Sequence, residues 1–569
     1  MRFKIRIIFF LVFVFFNNLI SGVDNISGVN LDYDKDSDRI FFYSNGGQPD
    51  EVLYYDYVIL GAGSAGSVVA SKLADDPNNT VLLVEEGVWD TIFPNIWDTN
   101  TNWNLNTNPA IIQTYPNSSN KSMDYMVGKV IGGTNSINSM IVMGGSHENY
   151  EDWSNTTENP LLNWENSKSA LEDIMVRFDF YRLPQKREFF MEIKDALKTI
   201  GYSFNPYPLR NGVHRGSFSD RMYMMKYDYV TNTTKRQTSF GQYVRKDKQL
   251  GKKNLDIMTG EKAIKHHFVK GKKNTIRVKG VLLSNIGVKR TRYINIAREI
   301  VLSMGAIKTS QWLQLNGIGN RDHLESIGIK SVIDSPGVGV GLKDEILIPY
   351  KGRPLSDQYK NNVDLPKRVS YYDGFQVNGP TIGKNFTHST SSDYILNLDI
   401  NKNGFICDIQ SSSGLGTNDK GFVKIISNDH TKAPEISINI DDSQEKLDIF
   451  LDALKECRSL EQYFVDIGIL SHTIYGPSIP VDVGNESTTD LIDYIKKEFQ
   501  FLNYPCCSVK SGAKNNPFAP LDGKFKVKGV SNLRVVDASS LPKPTSGPPN
   551  VPIIALATQV SQMILNEND

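Results

Sequence analysis

The longest purely apolar run opens the chain. Residues 7–16 are unbroken Ile, Phe, Leu and Val, preceded by Arg2, Lys4 and Arg6 and followed by the small pair Ser21-Gly22. Basic, then apolar, then small is the order of a secretory signal peptide, so residues 1–22 are assigned as a cleaved leader. The run is short of the roughly 20 residues that cross a bilayer, and no later stretch is longer, so no stable membrane span is expected after cleavage. A different pattern begins at Tyr54. Residues 54–60 are β-branched and aromatic, residues 61–66 alternate glycine with small residues, residues 67–73 suit a helix, and residues 80–84 form a second apolar strand that ends in Glu85. Strand, glycine turn, helix and strand in that order predict a parallel α/β unit. Further on, residues 422–427 and 435–439 read as strands. Residues 445–460 read as an amphipathic helix with Leu447, Phe450, Leu451, Leu454 and Cys457 on one core-facing stripe.

Composition narrows the function more than the fold. The 569 residues carry 63 Lys and Arg against 63 Asp and Glu, with 40% hydrophobic and 22% charged positions. That is the composition of a folded chain long enough for two or three domains. Zero net charge leaves no electrostatic footprint for nucleic acid or an anionic membrane, so a small-molecule site is expected. In a secreted chain the Asn-x-Ser/Thr sequons at Asn25, Asn78, Asn117, Asn120, Asn155, Asn232, Asn385 and Asn485 are candidate glycan sites, and some of them arise by chance in an Asn-rich sequence. Cys407, Cys457, Cys506 and Cys507 are available for pairing; the adjacent Cys506 and Cys507 are poorly placed to bond to each other. No metal-type cysteine spacing is present, and no metal site is assigned.

Gly61-Ala62-Gly63-Ser64-Ala65-Gly66 has the Gly-x-Gly-x-x-Gly spacing of a dinucleotide turn. Gly61 permits the tight turn, Gly63 lets backbone approach a pyrophosphate, and Gly66 lets helix pack on strand, while the helix N-terminus offers free N–H groups to the phosphates. Glu85 lies 24 residues after Gly61, where a carboxylate accepts ribose hydroxyls and disfavours a 2′-phosphate. NADP is therefore disfavoured, and FAD and NAD remain.

The next segment separates them. Gly128-Lys129-Val130-Ile131-Gly132-Gly133-Thr134-Asn135-Ser136-Ile137-Asn138-Ser139-Met140 resembles the GKxxGGSSxxNxM run of the glucose-methanol-choline (GMC) oxidoreductase family of FAD flavoproteins. Residues 303–319 resemble that family's GAIxTPxLLxxSGIG signature, residues 336–344 its PGVGxNLxD stretch, and residues 532–542 its NLRVxDASxxP stretch. The resemblance implies an α/β FAD-binding (Rossmann-like) domain built from residues 54–150, 250–345 and 515–569. It also implies an α+β substrate domain with an antiparallel sheet from residues 151–249 and 346–514. It places Gly61, Gly63, Ser64, Ala65, Gly66 and Glu85 on the ADP half of FAD, and Gly132, Gly133 and Asn138 by the flavin ring. It gives Ala263 an adenine-side backbone contact, and sets Asp537 and Ala538 by the pyrophosphate and flavin. Pro552 suits the first position of the last helix, so that the amides of Asn550 and Val551 face the flavin pyrimidine. Ile137 stands where some members carry a flavin-linking His, which implies noncovalent FAD.

The family oxidises alcohols by removing a hydroxyl proton while hydride passes to flavin N5, and its members usually supply one His and a second His or Asn. In register, the first position is Tyr504, with Asn503 one residue away, and the second is Pro548. None of these is an ordinary base. The eight histidines lie at positions 147, 214, 266, 267, 323, 388, 430 and 472, so the last 97 residues hold none. His147 and His472 read as surface or packing residues, His266 and His267 as surface residues, and Asp344-Glu345 replaces the family's Asp-His. Three readings stay open: oxidation of a small-molecule alcohol at CH–OH with Tyr504 orienting it, a secreted FAD-binding homologue with weakened or lost catalysis, and hydroxynitrile cleavage.

Overall fold

The computed structural model describes residues 49–99, 105, 108–119, 124–182, 188–212, 216–220, 222–228, 230, 233–270, 275–288, 290–350, 352–357, 374–378, 394–401, 404–411, 416–472 and 488–568, with the short strands Asn30–Tyr33 and Ile40–Tyr43. The leader and the sequons at Asn25, Asn120, Asn232, Asn385 and Asn485 lie outside these residues.

The first sheet gathers strands far apart in sequence. The elements that build it are β1 (Glu51–Leu60), α1 (Ser64–Leu73), β2 (Val81–Glu85), β3 (Leu255–Thr259), β4 (Glu261–Lys270), β5 (Ile276–Asn285), β6 (Thr291–Leu302), α2 (Gly305–Leu315), β7 (Leu533–Val535) and α3 (Asn550–Asn568). The strand order is β3-β2-β1-β6-β5-β4, with β7 also on β6. β3, β2, β1 and β6 run parallel, and β5 and β4 extend the sheet antiparallel. β6 is long enough to serve both halves. Its first residues pair with β5, and Ile300–Leu302 lie between Val58–Leu60 of β1 and Leu533–Val535 of β7. The buried central strands read as continuous apolar runs because helices cover them: β2 is buried at all five positions, and α3 packs on α1.

A second sheet of seven strands has the order Gln500–Phe501, Ile346–Ile348, Gly404–Ser411, Tyr394–Asn401, Gly374–Asn378, Ser217–Asp220, Ser203–Phe204. It is antiparallel apart from its last pair. The molecule is therefore an α/β domain joined to a substrate domain resting on a largely antiparallel sheet. Helix Gln444–Asp466 packs on this sheet and buries the expected stripe of Leu447, Phe450, Leu451, Leu454 and Cys457, running six residues past the predicted end. The strands expected at 422–427 and 435–439 shorten to Phe422–Lys424 and Glu435–Ser437.

Cys457 is bonded to Cys407 on the neighbouring strand, with Cα atoms 5.9 Å apart across 50 residues of sequence. Both are fully buried, and the bond ties helix to sheet. Cys407→Ala is expected to lower unfolding free energy by about 2–4 kcal/mol, read as a shift in the guanidinium midpoint under non-reducing conditions. Burial bears on the three sequons that lie within the described residues. Asn117 is 1% exposed, donating to the Ile438 carbonyl and accepting from the Ile438 amide, so no glycan fits on it in the folded chain. Asn78 and Asn155 are exposed.

Candidate functional site

The turn between β1 and α1 is shaped by what a side chain would strike. Gly61 has φ +103°, and a Cβ there would lie 2.4 Å from the Ser303 carbonyl oxygen; a Cβ on Gly66 would lie 1.9 Å from the Gly61 oxygen. These two glycines let strand, turn and helix close on each other. Gly63 and Gly305 differ. A Cβ on Gly63 would meet only the Gly133 Cα, at 3.9 Å, and one on Gly305 would meet nothing within 4 Å, so both backbones face open space. That space is a cleft of about 1460 Å³, mouth included, lined by Gly61, Gly63, Ser64, Ala65, Glu85, Gly133, Ala263, Asp537 and Ala538 among others.

Charge and polarity in the cleft suit a nucleotide. The helices α1 and α2 both begin on it, presenting their N-terminal amides. Glu85, 7% exposed, accepts from the Ala62 amide at 2.9 Å and the Gly87 amide at 2.8 Å. Burial raises its carboxyl above the usual range against those two bonds. The neighbouring Glu86 pairs with Lys308 and lies 3.5 Å from Lys129. Burial alone would raise Glu86, yet Lys308, Lys129 and Lys262 together hold it well below the carboxylate range. Asp537 accepts from the Gly305 amide at 2.8 Å and the Thr309 hydroxyl at 2.6 Å, bracing the start of α2. Three buried polar atoms of lining residues, Gln113 Oε1, Glu261 Oε2 and Trp312 Nε1, have no partner among the described residues. Open glycine backbones, helix N-termini and orphaned polar atoms together fit a dinucleotide cofactor.

Other predicted residues lie beside the cleft rather than on its wall. Gly132, with φ +88°, donates to the Ala62 carbonyl at 2.9 Å. Asn138 Oδ1 accepts from the Met140 amide and from Arg236. Asn550 accepts from the Ser64 hydroxyl at 2.6 Å, which brings the last helix to the first. Val551 is fully buried. Pro552 is the third residue of α3, not the first. The first intrahelical bond runs from Ile553 to the Pro549 carbonyl, so Pro552 still falls where no N–H is required and the amides of Asn550 and Val551 lie ahead of it.

At the other end, the segments carrying Tyr504 and Pro548 meet at two adjacent carboxyls. Asp344 Oδ1 accepts from the Tyr504 amide at 2.8 Å, and Glu345 Oε1 accepts from the Gly547 amide at 3.2 Å, one residue before Pro548. Gln410 of the second sheet donates to Glu345 Oε2 at 2.5 Å and accepts from Asn397 at 3.2 Å. A polar row thus crosses from the substrate sheet to the segment of Pro548. Asp344 and Glu345 are 0% and 2% exposed. Burial pushes Asp344 up to about 7 against the amide bonds it accepts, and pushes Glu345 well above its ordinary value, with Asp344 adding to the rise. Buried Tyr125 is raised by burial and then by the Asp344 charge, so its hydroxyl stays protonated beside that carboxyl.

Asn503 is committed elsewhere: its side chain accepts from the Met126 amide at 3.3 Å and donates to the Met126 carbonyl at 2.9 Å, and its φ is +64°. Nor do the described His147 and His472 replace the missing pair. His147 stacks on Trp164 with centroids 4.1 Å apart, and His472 is exposed. The surface reading of His266 and His267 is corrected. They are 4% and 6% exposed because β4 packs against α2, with His266 on Trp312 at 4.5 Å and His267 Nδ1 3.1 Å from the Tyr293 hydroxyl. Among the described residues no His, Cys, Asp and Glu cluster forms a metal site. The carboxyl pair and its Gln410 partner escaped sequence reading. The one signal available was that Asp344-Glu345 departs from the family's Asp-His.

Fold and cleft define a dinucleotide-binding α/β protein with a separate substrate sheet. The model described as GMC oxidoreductase matches the chain at residues 55–387 for its N-terminal part and 417–557 for its C-terminal part, and the chain belongs to the GMC oxidoreductase family. Its cofactor is FAD. The chain is 28% identical over 562 residues to the oxygen-dependent choline dehydrogenase of Staphylococcus xylosus, covering 90% of this chain and 94% of that one. Among solved structures it is similar to pyridoxine 4-oxidase from Mesorbium loti (TM-score 0.74, 20% identity, 90% of this chain and 99% of that chain). It is also similar to formate oxidase from Aspergillus oryzae (TM-score 0.74, 19% identity, 91% and 99%). At those identities the structural likeness speaks for the fold alone.

Proposed function

We propose that this protein oxidises the CH–OH group of a small-molecule alcohol, and that the Asp344–Glu345 pair supplies the proton acceptor that histidine supplies in its family. The observation that carries this reading is the grip of those two carboxyls on the two segments that lack the histidines. Bound FAD supplies the two-electron acceptor for hydride from the carbinol carbon. Gly61, Gly63, Ser64, Ala65, Gly66, Glu85 and Ala263 hold its ADP half, with Glu85 on the ribose hydroxyls. Asp537 and Ala538 sit by the pyrophosphate, and Gly132, Gly133, Asn138, Asn550 and Val551 set the ring. Ile137 offers no nucleophile, so the cofactor is held noncovalently. Two adjacent buried carboxyls cannot both ionise easily, so near neutral pH the pair keeps one proton and can take another from a hydroxyl. Tyr504 orients the alcohol.

The choline dehydrogenase name of the sequence relatives supports an alcohol as donor. The same reading takes the chain into the secretory pathway, with cleavage after residue 22 and glycans on Asn78 and Asn155. Among the described residues no helix is long and apolar enough to cross a membrane.

The test is anaerobic addition of a panel of alcohols and hydroxynitriles to the purified yellow protein, followed at the flavin absorbance. Bleaching by an alcohol supports oxidation, and cleavage of a hydroxynitrile without bleaching supports lyase chemistry. A spectrum that nothing changes supports a cofactor retained without turnover. If position 504 faces the reacting alcohol, Tyr504→His raises the rate of bleaching, since a base working near its ordinary pKa contributes about 10²- to 10⁴-fold. An unchanged rate and spectrum would remove Tyr504 from the site.

A further inference from the structure

Two cysteines lie two and three residues after Tyr504. Cys506 and Cys507 are each 2% exposed, and their Sγ atoms are 2.8 Å apart. That is well inside ordinary contact for two sulfurs, though longer than the bonded distance of about 2.0 Å. Both are free thiols in the structure, in line with the expectation from adjacency, yet the backbone holds their sulfurs in contact. Cys507 holds φ +69°, a conformation L side chains rarely adopt. Cys506 is fixed on one side by reciprocal amide–carbonyl bonds with Lys343, at 3.0 and 2.9 Å. On the other side the pair is tied to the cofactor cleft, for the Cys507 amide donates to the carbonyl of Ala538 at 3.0 Å and the following Ser508 hydroxyl donates to that of Ala306 at 2.6 Å. Ala538 and Ala306 both line the cleft.

We propose that Cys506 and Cys507 form a dithiol–disulfide couple that exchanges two electrons with the flavin of the same chain. In the reducing direction the S–S bond breaks and each sulfur takes one electron and one proton, while reduced FAD returns to its oxidised form. In the other direction two S–H bonds break, the S–S bond forms, and two electrons and two protons pass to oxidised FAD. The strained direction is the closed one. Adjacent Cα atoms are about 3.8 Å apart, short of the roughly 4.4–6.8 Å usual for disulfides, and strained disulfides are the more easily reduced ones. The closed pair is therefore an electron sink for the reduced flavin. Burial also pushes the Cys506 thiol well up, which disfavours the thiolate and keeps solution reagents from competing with the internal route.

The inference rests on the FAD reading and is tested apart from any alcohol. Anaerobic reductive titration of the purified yellow holoprotein is expected to take up four electrons per chain, against two for Cys506→Ala or Cys507→Ala. In the wild-type chain, alkylation in denaturant before and after titration is read on the tryptic fragment 498–510, which holds these two cysteines and no other. The fragment is expected to be unlabelled and lighter by two hydrogens as isolated, and doubly labelled after reduction. This measurement needs no variant to fold. Uptake of two electrons by the wild type, with both cysteines already labelled as isolated, would overturn the proposal. A flavin-free protein would instead fail the cofactor reading.

Discussion

Gly61→Val is expected to give a protein without flavin colour and with unfolding free energy reduced by about 2–6 kcal/mol, the sum of a strained backbone and an overpacked contact. At φ +103° the valine Cβ would stand 2.4 Å from the oxygen and 2.7 Å from the carbon of the Ser303 carbonyl, and neither backbone atom can swing aside. The shift would pull Gly61 from its 2.8 Å bond to the Val84 carbonyl and move the start of α1 off the cleft. Gly251→Ala separates strain from collision. Gly251 has φ +93° with nothing within 4 Å of its would-be Cβ, so its replacement costs about 1–2 kcal/mol and leaves the flavin in place. Absorbance of bound flavin and a denaturant midpoint measured on both variants check the pair of outcomes. A yellow Gly61→Val protein of normal stability would mean that the turn is not built as described.

Glu345→Gln is expected to slow flavin reduction by alcohol about 10²- to 10⁴-fold, the usual worth of a positioned proton acceptor, while leaving the flavin bound. Glutamine keeps the size and can still accept from the Gly547 amide, so the shape of the site survives while its proton affinity does not. The pH dependence follows from the sign of the shifts. Burial raises both carboxyls above their ordinary values, and Asp344 loses its proton only near 7. A proton acceptor must be ionised, so reduction by alcohol should speed up as pH rises through about 7 and flatten above it, and in Glu345→Gln that rise should shrink. Stability runs the opposite way. A carboxyl raised by folding favours the folded state fully in acid, below its unfolded value, and that contribution is lost as pH climbs through about 7. Stopped-flow bleaching from acid to alkaline pH reads the first effect, and denaturant midpoints over the same range read the second.

What the sequence showed about this site was what local pattern can show. The turn at Gly61, Gly63 and Gly66 and the acid at Glu85 are fixed by the chain's own β-α-β geometry, and residues 54–85 suffice to see them. The stripe of helix Gln444–Asp466 was legible for the same reason, since one face repeats every few residues. The carboxyl pair was not legible. Glu345 acquires its partners from Gln410, 65 residues away, and Gly547, 202 residues away, and Asp344 from Tyr504, 160 residues away. No periodicity connects such distances. His266 and His267 looked exposed because they are polar, and they are buried because strand β4 meets Trp312 and Tyr293. Cys506 and Cys507, read as poorly placed to bond to each other, are free, but adjacency alone does not reveal the positive φ at Cys507 or the contact of their sulfurs.

The most direct test of the central claim mixes the oxidised protein anaerobically with the best alcohol of the panel and with the same alcohol deuterated at its carbinol carbon. Alcohol oxidation at this site predicts that the flavin bleaches, that deuterium slows the bleaching, and that one carbonyl product appears per flavin reduced. A yellow protein whose flavin no alcohol bleaches would contradict it.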